Sequence, residues 1–204
     1  MTKHYEVATS DFGWGCGYRN CQMLLSSLQA LGHPVFGEGC SNPDVPLFDA
    51  IPDIYKLQQV LQDAWLAGFD PQGAEFFGHR ILGSKEWIGT TEIYCLLSYM
   101  GIKCYIVDFY KPSGPNGSHP ALFNWVESYF VGDNDSEVVY GSGEVRRIML
   151  TRKLPLYLQN QGHSRTIVGI EYRRPDVRGD GSSSSNASMS FDLLVFDPNI
   201  SVLE

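Results

Sequence analysis

Gly13-Trp14-Gly15-Cys16-Gly17-Tyr18-Arg19-Asn20 runs straight into Cys21-Gln22-Met23-Leu24-Leu25-Ser26-Ser27-Leu28, and the reading of the chain starts at this junction. A loop of glycines and one aromatic gives way to apolar residues at Met23/Leu24, Leu28 and Leu31, the spacing of one helix face. Gly32-His33-Pro34 ends the segment, because glycine accepts a left-handed cap and proline cannot continue the ladder. Cys16 therefore falls just before the helix or in its first turn. Unpaired N–H groups and the positive end of the helix dipole favour an anion there, and a thiolate is one. A thiol so placed can drop from a pKa of about 8.5 to roughly 3.5–7.5, most of all beside a protonated histidine. Glycines on either side would let a substrate backbone close on the sulfur. Two readings stand side by side here: an activated nucleophile, or a small buried hydrophobe, which is what most free cysteines are.

Composition narrows the classes. The 204 residues suffice for one sizeable core, and a single domain over 1–204 is expected. A net charge of −8 argues against nucleic acid as a direct partner and suits a basic partner or a basic peptide tail. No apolar run reaches membrane-spanning length, so no membrane association is expected, and no signal-peptide pattern follows Met1-Thr2-Lys3-His4. The cysteines at 16, 21, 40, 95 and 104 form neither a paired framework nor a CxxC zinc pattern. They read as reduced thiols of the cytoplasm or nucleus. No metal and no cofactor is expected, and the protein is taken as a monomer.

After the first helix, residues 35–52 are rich in Gly, Pro, Asp and Asn and read as a surface loop. Asp53 reads as the N-cap of a second helix, with Ile54, Leu57, Leu61, Ala64 and Trp65 on one face and Gly68 at its end. Phe69-Asp70-Pro71-Gln72-Gly73 reads as a turn. Trp87-Ile88-Gly89-Thr90-Thr91-Glu92 leads into a third helix, with Ile93, Leu96, Leu97 and Met100 inward and Gly101 as its stop. Residues 102–110 are dense in Ile, Val, Tyr and Phe, a β-type run. A fourth helix starts near Pro120. Beyond it, residues 137–140, 154–158, 166–172 and 191–196 read as strands. A Ser/Gly-rich loop at 175–190 is expected to be a mobile hairpin connection. Helices first and strands later imply an α+β fold, with N-terminal helices packed on a mainly antiparallel sheet.

Gln159-Asn160-Gln161-Gly162-His163-Ser164-Arg165 joins two of the predicted strands. A histidine in such a turn is more often plain surface. A cysteine nucleophile nonetheless needs its base on a separate element, and a cysteine early with a histidine far downstream suits that requirement. The third group must accept the other imidazole N–H and stabilise the imidazolium. Asp197 ends the apolar run Leu193-Leu194-Val195-Phe196 and precedes Pro198. If the strands flanking the Ser/Gly-rich loop pair as a hairpin, the start of one lies beside the end of the other. His163 and Asp197 then become neighbours.

The box GWGCGYRNCQMLLSSL, followed in order by FDPQG, WIGTTEIY, VDFYKPSGPNGSHPALFNWV, LYLQNQGHSRTIVGIE and LLVFDP, resembles the zinc-finger-containing ubiquitin peptidase family. These are papain-like deubiquitinases related to the proteases of the ubiquitin-fold modifier, and the resemblance runs from Asp11 to Pro198. It implies Cys16 as nucleophile, His163 as general base and Asp197 as its orienting partner. Gln159 matches the family's polar residue near the oxyanion, with the Cys16 N–H as a second donor. It also implies ubiquitin or polyubiquitin chains as partner, cleaved after the terminal Gly-Gly through a thioester. Human-type members carry zinc fingers and ubiquitin-binding helices ahead of this box, so the likeness is to the catalytic domain alone.

The ubiquitin tail, Leu-Arg-Leu-Arg-Gly-Gly, asks for a narrow passage at the glycines and carboxylates at the arginines. Trp14, Tyr18 and Trp87 are expected as walls of that passage, and Asp70 and Glu92 carry over as the acidic pair. Each acid also has a structural reading, Asp70 as a turn cap and Glu92 as a first-turn acid at a helix dipole. Two other functions compete. Proteases of the ubiquitin-fold and autophagy modifiers share the Gly-Trp-Gly-Cys box but place a histidine two residues after Asp-Pro, where this chain has Ile200. A non-catalytic ubiquitin-binding module fits poorly with competent residues at all three triad positions.

Overall fold

In the computed structural model, helix α1 spans Cys16–Ala30. The structure describes residues 1–37, 46–132, 137–140, 147–173 and 190–201, with the backbone alone at 137–140, 147–150, 173 and 190. Most of α1 is buried, including Tyr18, Cys21, Met23 and Leu25 with no exposed surface. Burial on nearly every face is why polar residues interrupt its apolar stripe, and those residues find partners inside. Gln22 Nε2 donates to the Pro52 carbonyl at 2.8 Å and the Ser26 hydroxyl to the Met23 carbonyl at 2.7 Å.

The second helix, α2 (Ile54–Leu66), starts as expected, with Asp53 Oδ1 accepting from the Lys56 N–H at 2.7 Å. The expected turn at 69–73 instead opens a short helix, α3 (Pro71–Phe76). Asp70 caps it in the left-handed region at φ 43°, and Pro71 sits at the first helical position, where its missing N–H costs nothing. Helix α4 (Thr90–Tyr99) buries Ile93, Leu96 and Leu97, with Met100 buried at its end. Pro120 opens α5 (Pro120–Val131).

Strands β1 (Glu137–Tyr140) and β2 (Arg147–Leu150) pair antiparallel, from Glu137↔Leu150 to Tyr140↔Arg147. No strand was expected at β2. A second, three-stranded sheet has the order β3 (Leu156–Asn160), β4 (His163–Arg173), β5 (Ser190–Phe196) and an antiparallel arrangement. The β3–β4 register runs from Leu156↔Ile167 to Asn160↔His163. β3 begins after Pro155, which lacks a donor for the ladder, so it lies two residues later than the expected strand. β4 begins three residues earlier than expected, because the polar Ser164 and Thr166 are buried and hydrogen-bonded. Residues 102–110 join no strand among the described residues, and Tyr105 is largely exposed. High β-propensity marks fit to a half-buried surface and does not by itself supply a partner. Of the expected loop at 175–190, all but Ser190 lies outside the described residues.

Two compact units contain these elements. The first comprises Met1–Val107, Leu154–Ile167 and Val195–Glu204. In it α1 and α4 pack on β3, α2 packs on α1 and α4, and Tyr18, Leu25, Leu57, Leu61, Ile81 and Leu96 form the centre of the core. The second comprises Asp108–Lys153 and Val168–Leu194. There Trp125 stacks on Tyr129 with ring centres 5.8 Å apart, and the Tyr172 hydroxyl donates to Glu127 at 2.6 Å. Every residue expected at the reaction centre belongs to the first unit.

Candidate active site

Cys16 is the first residue of α1, with Gly15 as the N-cap. Its N–H and those of the next residues have no intrahelical acceptor by position, and they face whatever lies at the helix end. The approach to the helix is a tight turn: the Asp11 carbonyl accepts from the Trp14 N–H at 3.3 Å and from the Gly15 N–H at 2.8 Å. The buried Asp11 carboxylate takes a two-pronged bond from Arg19, Nε to Oδ2 at 2.8 Å and Nη2 to Oδ1 at 2.7 Å. This clamp between the loop and α1 escaped the sequence reading, since an Asp and an Arg eight residues apart look like ordinary surface charges. The glycines also act differently from expectation. A Cβ on Gly15 would strike the Asp11 carboxylate, and one on Gly17 would sit 2.5 Å from the Ile88 carbonyl. Both serve internal packing, while Gly13 faces open space.

The β3–β4 connection is a two-residue hairpin, Gln161 at φ 48° and Gly162 at φ 79°. Positive φ at both positions is what a type I′ turn requires. His163 follows as the first residue of β4. Gly162→Ala would put a Cβ 3.0 Å from the Trp87 ring and force a side chain into the left-handed region. It is expected to cost about 1–2 kcal/mol of unfolding free energy, read in a denaturant titration.

His163 Nε2 lies 2.9 Å from Asp197 Oδ1 and 3.1 Å from Oδ2. An ionised carboxylate only accepts, so Nε2 carries the proton and Nδ1 keeps the basic lone pair. Asp197 is buried and also accepts from Arg165 Nε at 2.8 Å and from the Asn199 N–H at 3.0 Å. Burial pushes its carboxyl up, but the Asn199 N–H, His163 and Arg165 together outweigh burial and hold it below the ordinary carboxylate range. Arg165 was not among the expected site residues; the signal available was its i+2 position to His163 on a strand, which places both on one face. The Asp197 backbone is fixed as well. Its carbonyl lies 3.0 Å from His4 Nε2, and the Pro198 carbonyl accepts from the Val7 N–H at 2.9 Å.

Cys16 and His163 line one cleft of about 240 Å³, together with Gly13, Trp14, Trp87 and Gly162. That is below the usual range for small-molecule pockets, about 300–1,000 Å³, and suits a thin segment of chain. Tyr18 does not line it. This expected wall residue has no exposed surface; it packs edge-on beneath Trp14 and its hydroxyl accepts from Gln58 Nε2 at 3.4 Å. Its place one residue beyond Gly17 turns it into the core. Cys21, the other thiol near the box, is fully buried and burial pushes its pKa up to about 12, so it is inert as a nucleophile. On β3, Gln159 Oε1 accepts from the Tyr157 hydroxyl at 3.0 Å, which fixes Nε2 as its remaining donor end.

Asp70 and Glu92 both cap helices. Asp70 Oδ1 accepts from the Gly73 N–H at 3.1 Å, and Glu92 Oε2 accepts from the Gly89 N–H at 2.7 Å. Asp70 Oδ2, however, is buried with no hydrogen-bond partner. Cys95 senses both acids: burial pushes its thiol up to about 12, and the charges of Asp70 and Glu92 push in the same direction. Among the described residues no group of three or more His, Cys, Asp and Glu is arranged to hold a metal ion.

Known proteins with related sequences carry informative names. Mouse zinc finger-containing ubiquitin peptidase 1 is 43% identical over 198 residues, covering 97% of this chain. A ubiquitin carboxyl-terminal hydrolase of Schizosaccharomyces pombe, mug105, is 35% identical over 81% of the chain and 58% of its own length. Chicken Ufm1-specific protease 2 is 32% identical over 48% of the chain. The chain spans 29% of the length of the mouse protein. The signature of peptidase family C78 matches residues 1–203, covering the helix that presents Cys16, the hairpin that presents His163 and the strand end that presents Asp197. By that match the chain belongs to peptidase family C78.

Proposed function

We propose that the protein is a deubiquitinase, hydrolysing the peptide or isopeptide bond after the terminal Gly-Gly of ubiquitin. The observation that carries the reading is the cleft into which Cys16 and His163 open, with Asp197 behind the imidazole. His163 Nδ1 would take the thiol proton, and the Cys16 sulfur would attack the carbonyl carbon. The Cys16 N–H and Gln159 Nε2 would stabilise the oxyanion, each such donor being worth roughly 3–4 kcal/mol. His163 would then protonate the leaving amine, and water would hydrolyse the thioester with His163 as base. The order Cys, His, Asp along the chain and Ile200 after Asp197-Pro198-Asn199 favour ubiquitin over its relatives as substrate.

The substrate tail would pass between Trp14 and Trp87. Its arginines would meet Asp70 and Glu92, whose paired carboxylate oxygens suit the guanidinium fork. Asp70→Ala and Glu92→Ala are each expected to cut kcat/KM on ubiquitin substrates more than tenfold, since truncating one partner of a desolvated charge pair costs about 2–5 kcal/mol. A pure capping role would lower Tm and leave kcat/KM of the folded enzyme intact. Probes bearing a C-terminal electrophile test the substrate. Capture by the ubiquitin probe is expected; capture only by ubiquitin-fold-modifier or autophagy-modifier probes would overturn the assignment. The reduced thiols, Cys16, Cys21, Cys95 and Cys104 among the described residues, suit a cytoplasmic or nuclear enzyme.

A further inference from the structure

A buried hydrogen-bond network joins the two elements that carry Cys16 and His163, although Asn20, Ser164 and Thr166 do not line the cleft. Asn20 has no exposed surface. Its Nδ2 donates to the Cys16 carbonyl at 2.8 Å, to the Ser164 carbonyl at 2.9 Å and to the Ser164 hydroxyl at 3.2 Å. Its Oδ1 accepts from the Thr166 hydroxyl at 2.6 Å. Ser164 and Thr166 are themselves fully buried. One amide thus ties the first turn of α1 to the main chain of β4 at the residue after His163.

The two Asn20 amide protons serve three acceptors, so the longer contact to the Ser164 hydroxyl shares one of them with a carbonyl. Separately, on β3, the Tyr157 hydroxyl donates to Gln159 Oε1 at 3.0 Å, which leaves the Gln159 N–H₂ as its donor end. Burial pushes the Tyr157 pKa up, so the hydroxyl stays a neutral donor. No apolar residue at position 20 can make the same connections, and reactivity falls steeply with misplacement, about a hundredfold for 1 Å.

We propose that Asn20 is a positioning residue of this active site, setting the separation of Cys16 from His163. The proposal rests on the reading of Cys16 and His163 as nucleophile and base. Thr166 offers a test that separates positioning from stability. Thr166→Val keeps the volume and removes the hydroxyl that holds Asn20 Oδ1; Thr166→Ser keeps the hydroxyl and removes a methyl. Positioning requires Thr166→Val to lose kcat about tenfold with little change in KM, while Thr166→Ser keeps kcat within about twofold despite a lower Tm.

Asn20→Leu should slow alkylation of Cys16 by iodoacetamide. Should Asn20→Leu not fold, the Thr166 pair decides. Equal kcat in Thr166→Val and Thr166→Ser, or wild-type kcat in Thr166→Val, would overturn the proposal while leaving the triad standing. Full activity in Cys16→Ala would instead remove the reading on which it rests.

Discussion

Cys16→Ala is expected to abolish ubiquitin hydrolysis, a loss on the order of 10⁶ in kcat, while Tm and ubiquitin affinity stay close to wild type. The side chain is half-buried at the start of α1, so replacing sulfur by hydrogen opens little space. Cys21, the other thiol near the box, cannot substitute. It lies five residues further into the helix, is sealed from solvent, and has a pKa of about 12 because burial penalises its thiolate. Turnover and labelling by a ubiquitin probe are the two measurements, with calorimetry as the control for folding. Residual turnover above about 1% of wild type in a folded Cys16→Ala protein would mean that the nucleophile has been misassigned.

His163→Ala is the second large effect. Without the imidazole there is neither a base for the thiol nor an acid for the leaving amine, and a loss of at least about 10⁴ in kcat is expected. Asp197→Asn should lose less, because a mis-oriented imidazole still visits the productive geometry. It also has a signature in pH. The folded carboxyl sits below its ordinary value, so the stability it contributes is present above about pH 4 and disappears as pH falls through the lower folded pKa. The gap in Tm between wild type and Asp197→Asn should therefore be widest above pH 4 and close in stronger acid. A gap independent of pH, or probe labelling by His163→Ala as fast as wild type at all pH values, would contradict the His163–Asp197 pairing.

Much of this was legible in the residues because it is local. The N-cap at Asp53, the inward face of α4 and the place of Cys16 at the start of α1 depend on patterns within a few residues of themselves. Asp197 could be matched to His163 because a hairpin between two predicted strands brings opposite ends together. β4 was cut short, and Ser164 and Thr166 were passed over, because their burial depends on partners more than a hundred residues away in Asn20. Tyr18 was placed at the surface of a tunnel for a related reason. An aromatic after a glycine loop carries no mark of which way it turns, and only the packing of α1 against α2 and β3 sends it inward.

The sequence by itself determined the family, the α+β class, the helix that offers Cys16 and the cap at Asp53. Those are consequences of residue type and short-range order. Tertiary structure alone decided that Asp11 and Arg19 clamp the loop before α1, that Arg165 shares Asp197 with His163, and that Asn20 joins α1 to β4. A side-chain hydrogen bond forms only where two distant backbones are brought within about 3 Å at the right angle. That condition is set by the packed core as a whole, and no run of neighbouring residues encodes it.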